Sequence, residues 1–392
     1  MPTKSKNLRV ALVIPHIFIS RDILPRVIFS PGTLALDLAK ELPKQGIEVT
    51  LFTPAPADTP VTNQTADMSL FNSELSARGY DALELLKKHP ATFIALARQV
   101  QSELIANAYR QANTDHFDLV HIYTNEEDLA LPFAKFCQKP VVFTHHDPFN
   151  FLIKYKSVFP KYANLNWISI SKSQRKGMPT NTNWVANIPH GIDPSEYTPN
   201  FSTNNKYLAY AGRIIEPKGV HLAIEAVKLH NSQNPNHQLT LQIAGKHYSD
   251  SEKNSYWETK VRPELNAEIQ YTGHLRPEKM KDFLAKAQAL LVPSTFEEPF
   301  GMVTLEALAS GTPVLGLSAG ATKEIIKNGE TGFIIPATTE PEIIKNLAES
   351  IKKIPQIPRK NCRTHLEKNF SLTQMAQSHA NLYKKLYKIS QK

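Results

Sequence analysis

A chain of 392 residues with 41% hydrophobic side chains is too long for one ordinary core and suits two domains, which allows a cleft. The formal net charge of +9 is spread over both halves without a block of like charge, which excludes a basic nucleic-acid arm and leaves only a weak attraction to an anionic membrane surface. Cys137 and Cys362 are isolated thiols without CxxC spacing, so a disulfide framework and a zinc site are excluded; a reducing compartment is expected, with both thiols as buried fillers.

The first apolar run, residues 10–15, is too short for a signal-peptide core with its cleavage site, and nowhere do about 20 apolar residues follow one another as a bilayer span requires. A cytoplasmic protein is expected. Short apolar runs at residues 10–14, 48–52, 119–122 and 141–144 read as buried parallel strands between helical patterns. Helical spacing over residues 32–42, ended near Gly46, places a helix after the first strand, and right-handed crossovers then build a doubly wound sheet. Residues 54–76, rich in Pro, Thr, Asp and Asn, read as a long loop, and residues 80–113 as two helices broken near Pro90.

Thr144-His145-His146-Asp147-Pro148 closes the fourth of these strands. Adjacent histidines after a strand point to opposite faces, so only one can face the cleft while the other packs. No cluster of His, Cys or carboxylates completes a metal site around them, and no bound metal is expected. The following segment, residues 149–161, mixes aromatics with lysines; it suits contact with a membrane or lipid-linked molecule and equally a helix with a solvated basic face.

Pro189-His190-Gly191-Ile192-Asp193-Pro194 is rich in turn formers and reads as a hinge, after which a second series of strand segments at 207–210, 238–244, 269–273, 289–293, 314–317 and 332–335 alternates with helical segments. A second Rossmann-like domain is predicted. The last helix, residues 372–387, carries Leu372, Met375, Ala376, His379, Leu382, Tyr383 and Leu386 on one face. The expected organisation is an N-terminal domain over residues 1–190, a C-terminal domain over 191–371 and a terminal helix over 372–392, with no internal repeat.

Two stretches carry the chemistry. Ala211-Gly212-Arg213-Ile214-Ile215-Glu216-Pro217-Lys218-Gly219-Val220 links a strand to a helix; Arg213 offers planar, permanently charged donors and Lys218 a point charge, both suited to an anionic leaving group. In Ser294 to Pro313, Pro299 and Gly301 break regular structure before a short helix over 304–309 that Gly311 and Pro313 end. A glycine loop feeding a helix N-terminus presents free N–H groups to a phosphate. Glu298 sits at the lip of this loop and Glu306 inside the helix.

Two glutamates at this spacing occur on many solvated helices, and the surrounding sequence is what gives the pair meaning. Glu-Pro-Phe-Gly before Glu306, then Ala-Ser-Gly-Thr-Pro-Val, Ser318-Ala319-Gly320-Ala321-Thr322-Lys323-Glu324 and Asn328-Gly329-Glu330-Thr331-Gly332-Phe333, resembles the E-x7-E region of retaining, nucleotide-sugar-dependent glycosyltransferases of family 4, also known as glycosyl transferases group 1. The resemblance implies a GT-B fold: two Rossmann-like domains facing a cleft, the first on the acceptor side and the second binding the donor, with the C-terminal helix crossing back to the first. It implies a hexosyl group moved from a UDP- or GDP-sugar, as substrate, to a hydroxyl on a glycan, a lipid-linked molecule or a small molecule, with no cofactor and no metal. Such a protein would be cytoplasmic, with peripheral contact to the inner face of the membrane where the acceptor is lipid-linked.

Residue by residue, the resemblance gives Glu298 contacts to the sugar hydroxyls and Glu306 the ribose. Arg213 and Lys218 match the family's Gly-Arg-x4-Lys-Gly phosphate clamp, with Glu216 and Pro217 in the reverse of the common order. Phe300, Gly301, Met302 and Val303 complete the donor corner, and Leu275 meets the base through its backbone. His146 takes the place of the histidine in the Thr-x-His-Asp element that reaches the sugar, leaving His145 to packing. The first loop departs from the family: Ser30-Pro31-Gly32-Thr33 stands where relatives carry two adjacent glycines, so Gly32 alone is left for the acceptor side. The other readings are an epimerase or phosphorylase of the same fold and a non-catalytic nucleotide-sugar-binding subunit. A nicotinamide oxidoreductase and a P-loop ATPase lack their motifs here.

Overall fold

Runs of Val, Ile, Leu and Phe flanked by helical segments can bury both faces only as parallel strands, and the computed structural model, which describes residues 7–123, 126–202, 207–247 and 256–392, shows two such sheets. The chain divides into two units: one of residues up to Ile170 with Arg175–Pro189 and Leu372–Lys392, the other of Ser171–Gln174 with His190–Ser371.

The first unit holds β1 (Leu8–Val13), β2 (Ile47–Thr53), β3 (Thr62–Thr65), β4 (Leu119–Tyr123), β5 (Val141–Thr144), β6 (Asn166–Ser169) and β7 (Trp184–Asn187), all parallel in the order β3-β2-β1-β4-β5-β6-β7. Val10 through Val13, Leu119, Val120, Val142 and Phe143 are fully buried, as central strands covered on both faces require. The stretch 54–76 is not one loop: it contains β3 and the helix Ser69–Arg78. β3 is a polar edge strand held by Asn63, whose amide donates to the Leu51 carbonyl at 3.1 Å and to Thr53 Oγ1 at 2.8 Å. The break near Pro90 separates helix Ala82–Lys88, opened by an Asp81–Glu84 capping box, from helix Pro90–Asn113, which begins on that proline. The C-terminal helix, Leu372–Ser390, belongs to this unit, and all seven of its predicted apolar positions are buried.

The second unit holds β8 (Tyr207–Ala211), β9 (Thr240–Ala244), β10 (Ile269–Gly273), β11 (Leu290–Val292), β12 (Val314–Leu317) and β13 (Gly332–Ile335), parallel in the order β10-β9-β8-β11-β12-β13. From β8 the chain first builds outward through β9 and β10, then crosses to β11 on the opposite side. The boundary between β8 and β11 is therefore the topological switch point, where the loops leaving the two carboxyl ends diverge and open a crevice. Cys362 is a buried filler with its thiol 3.6 Å from the Thr331 carbonyl, whereas Cys137 is only half-buried. Among the described residues no helix is long and apolar enough to cross a membrane.

Candidate active site

Both chemistry-bearing stretches leave the switch point of the second unit: the Arg213–Gly219 loop follows β8 and the Ser294–Gly301 loop follows β11. They are stitched together through one carbonyl. Pro217 O accepts from the Thr295 N–H at 3.0 Å and the Phe296 N–H at 3.2 Å. Gly219 turns the first loop into helix Val220–Gln233 with φ 70°, a left-handed conformation that suits glycine.

This stitching sets Lys218 against Glu298. The ammonium pairs with Glu298 Oε1, which also accepts from Ser294 Oγ at 3.2 Å, and the two side chains are only 19% and 15% exposed. Lys218 Nζ lies 5.9 Å from the centre of the Phe296 ring. Glu298 is fixed by its own backbone as well: its carbonyl accepts the Ala321 N–H at 2.9 Å, and Gly320 passes so close that a Cβ there would fall 2.2 Å from the Glu298 oxygen. Arg213 is exposed, its carbonyl accepting the Tyr210 hydroxyl at 2.9 Å, so its guanidinium extends from an anchored backbone.

Gly301, with φ 111°, opens helix Met302–Ala309, two residues earlier than the sequence suggests. No side chain caps this helix, and among the described residues the N–H groups of Met302 and Val303 have no acceptor. Two unsatisfied donors at the positive end of a helix make an anion site. One turn on, Glu306 is half-buried, and burial raises its carboxyl above the usual carboxylate range while the nearby Lys281 charge opposes the rise. The Phe300 ring is turned away from this corner. It is 4% exposed and packs on His190 at 4.9 Å and Phe370 at 6.2 Å, leaving its backbone as what faces the loop. Leu275, half-buried, lies in the loop after β10 and lines an open depression of about 670 Å³ with Gln242, Thr272 and Phe283.

The remaining predicted residues belong to the first unit. His146 follows β5, is 7% exposed, and stands edge-on to Tyr123 with ring centres 4.5 Å apart. His145 is fully buried among Phe149, Tyr155 and Phe159, and burial lowers its pKa to about 4. Gly32 lies in the first turn of helix Ser30–Glu41, its N–H donating to the Phe29 carbonyl at 3.0 Å; a Cβ would lie 2.6 Å from the Phe29 ring, so close packing accounts for glycine here. In the segment 149–161, Phe149, Tyr155 and Phe159 are core residues, Phe151 and Ile153 are exposed, and Lys154 pairs with Glu126 and Asp128. Sequence reasoning gave no separate role to Ser294, four positions before its partner Glu298, to Gly320, which packs on Glu298 from 22 positions on, or to Lys281, whose charge reaches Glu306 from 25 positions before it. Among the described residues no group of three or more His, Cys, Asp or Glu could hold a metal ion.

A parallel sheet whose switch point gathers a lysine, an uncapped helix N-terminus and two carboxylates marks a doubly wound α/β protein with a candidate anion site at the crevice. The profile of glycosyl transferases group 1 matches residues 196–369, and that of glycosyltransferase family 4 matches residues 32–196. A candidate glycosyltransferase of Bacillus subtilis (strain 168), YtcC, is 23% identical over 320 residues, 74% of this chain and 77% of its own. Glycogen synthase of Mycobacterium tuberculosis (strain ATCC 25618 / H37Rv) is 29% identical over 182 residues, a match that spans 45% of this chain and less than half, 42%, of the relative. Among solved structures, Anabaena Alr3699/HepE in complex with UDP-glucose superposes with a TM-score of 0.67 at 16% identity, covering 96% of this chain and 100% of that one. The chain belongs to the group 1 glycosyl transferases and has the GT-B fold.

Proposed function

We propose that this glycosyltransferase moves a hexosyl group from a UDP- or GDP-sugar to a hydroxyl acceptor with retention of anomeric configuration. The observation that carries this reading is the corner itself: Lys218, Glu298, the free N–H groups of Met302 and Val303, and Glu306 all stand at one switch point. Cleaving an anomeric C–O bond leaves positive charge on the sugar ring and negative charge on the departing diphosphate. Arg213, Lys218 and the helix N-terminus meet that negative charge, so neutralisation is assigned to protein groups rather than to a divalent ion. Glu306 accepts the ribose hydroxyls, Glu298 orients the sugar, and Leu275 faces the base. The complex of HepE with UDP-glucose supports a nucleotide sugar as the ligand of this fold.

His146, with Gly32 nearer the chain start, is assigned to the acceptor side. No carboxylate is assigned as a nucleophile, and front-face displacement, in which the acceptor attacks from the side the diphosphate leaves, is the mechanism proposed for retention. The acceptor is a glycan, a lipid-linked molecule or a small molecule; a cytoplasmic site is proposed, with peripheral contact to the inner membrane face where the acceptor is lipid-linked.

The test is to incubate the protein with UDP- and GDP-hexoses and hydroxyl acceptors, measure free nucleoside diphosphate, and determine the anomeric configuration of the product by NMR. Acceptor-dependent release with the donor's configuration preserved supports the reading. Release with inversion, or isomerised donor without transfer, overturns it.

A further inference from the structure

We propose, resting on the donor-site reading above, that Lys218 and Glu298 form a latch that makes recognition of the sugar conditional on the diphosphate. Each group occupies the other: the ammonium assigned to the phosphate is bound to the carboxylate assigned to the sugar hydroxyls. A donor diphosphate draws Lys218 away, and only then does Glu298 become an open acceptor.

The two loops are tied together beside the pair, because Pro217 O accepts from the Thr295 and Phe296 N–H groups at 3.0 and 3.2 Å. Gly219 faces the Pro293 carbonyl with no room for a Cβ, and Gly320 does the same to Glu298. With both backbones fixed, the exchange falls to the side chains. Lys218 has a flexible four-carbon stem that can swing between partners. Glu298 is kept in place by Ser294 Oγ at 3.2 Å and stays at the sugar position when the lysine leaves. A diphosphate carries more charge than one carboxylate and also meets Arg213 and the Met302 and Val303 N–H groups, so it wins the exchange; a free sugar has no charge with which to compete.

Competition has a measurable signature: Glu298 weakens binding of a bare nucleoside diphosphate, and it does so through Lys218. The experiment is a double-mutant cycle, titrating UDP and GDP into wild type, Glu298→Gln, Lys218→Ala and the double variant. Glu298→Gln is expected to bind the preferred nucleoside diphosphate about three- to tenfold more tightly than wild type. The same change made on Lys218→Ala is expected to give no gain. Equal or weaker binding by Glu298→Gln, with wild type still binding, overturns the latch and leaves the donor site standing. An equal gain on both backgrounds also overturns it, since Glu298 would then act on the phosphates by direct repulsion. Wild type that binds neither nucleotide removes the donor-site reading and the latch with it. Thermal unfolding of each variant establishes that its fold is intact.

Discussion

Gly219 faces Pro293 so closely that a Cβ on the glycine would lie 2.1 Å from the proline's carbonyl oxygen. This contact seats the turn after Lys218 on the end of β11, and φ 70° at Gly219 is itself unfavourable for any residue with a Cβ. Gly219→Ala is therefore expected to cost about 1–2 kcal/mol from the left-handed backbone alone, and more from the clash. Urea unfolding reads the loss, and nucleotide titration should show weaker binding as Lys218 is displaced. Wild-type stability in this variant would show that the turn is soft.

His121, at the centre of β4, joins two elements of the first unit: its Nδ1 lies 2.7 Å from the Tyr383 hydroxyl on the C-terminal helix and its Nε2 2.8 Å from Thr144 Oγ1 on β5. All three side chains are buried. Tyr383→Phe removes one partner and strands a ring nitrogen away from water, which should destabilise the unit by about 1–3 kcal/mol. Hydrogen exchange along residues 372–390 would locate the effect, and unchanged protection there would count against the bond.

Acid should unfold the first unit through its neutral histidines. Burial holds both His145 and His379 at about 4, below the ordinary 6.5. The unfolded chain therefore binds more protons than the folded one between these values, and stability falls as the pH drops from 6.5 toward 4, with little change above 6.5. Each unit of separation corresponds to about 1.4 kcal/mol per histidine. Denaturation midpoints at stepped pH check the slope, and His379→Gln should make it shallower.

Glu306 gives nucleotide binding its own pH dependence. Its carboxyl titrates above the usual range because it is buried, so a ribose contact that needs the carboxylate weakens at a higher pH than an exposed glutamate would allow. Affinity for the nucleoside diphosphate should decline as the pH falls through that raised value. Glu306→Gln should bind more weakly near neutrality and lose this dependence; titrations across pH compare the two.

The fold was legible where local pattern coincides with burial. Residues 141–144, 314–317 and 332–335 are apolar runs next to turn formers, and each is a strand over those same residues. β3 was missed because Thr62–Thr65 is a polar edge strand held by Asn63, so neither alternation nor an apolar run betrays it. At the candidate site, Glu298, Gly301 and Glu306 fall where the loop and helix signals put them. The pairing of Lys218 with Glu298 is a contact across 80 positions that only the two strand ends and the Pro217 carbonyl create. The inward turn of Phe300 escaped for the same reason: its neighbours His190 and Phe370 are remote in sequence.

The most direct measurement of the central claim is calorimetric titration of UDP, GDP, ADP and NAD, without added metal, into the wild-type protein and Lys218→Ala. Micromolar binding of UDP or GDP that Lys218→Ala weakens strongly, though still measurably, is the predicted result, and it would fix the donor class together with the phosphate clamp. Binding of NAD alone, or nucleoside diphosphate binding indifferent to Lys218, would contradict the donor site placed at this switch point.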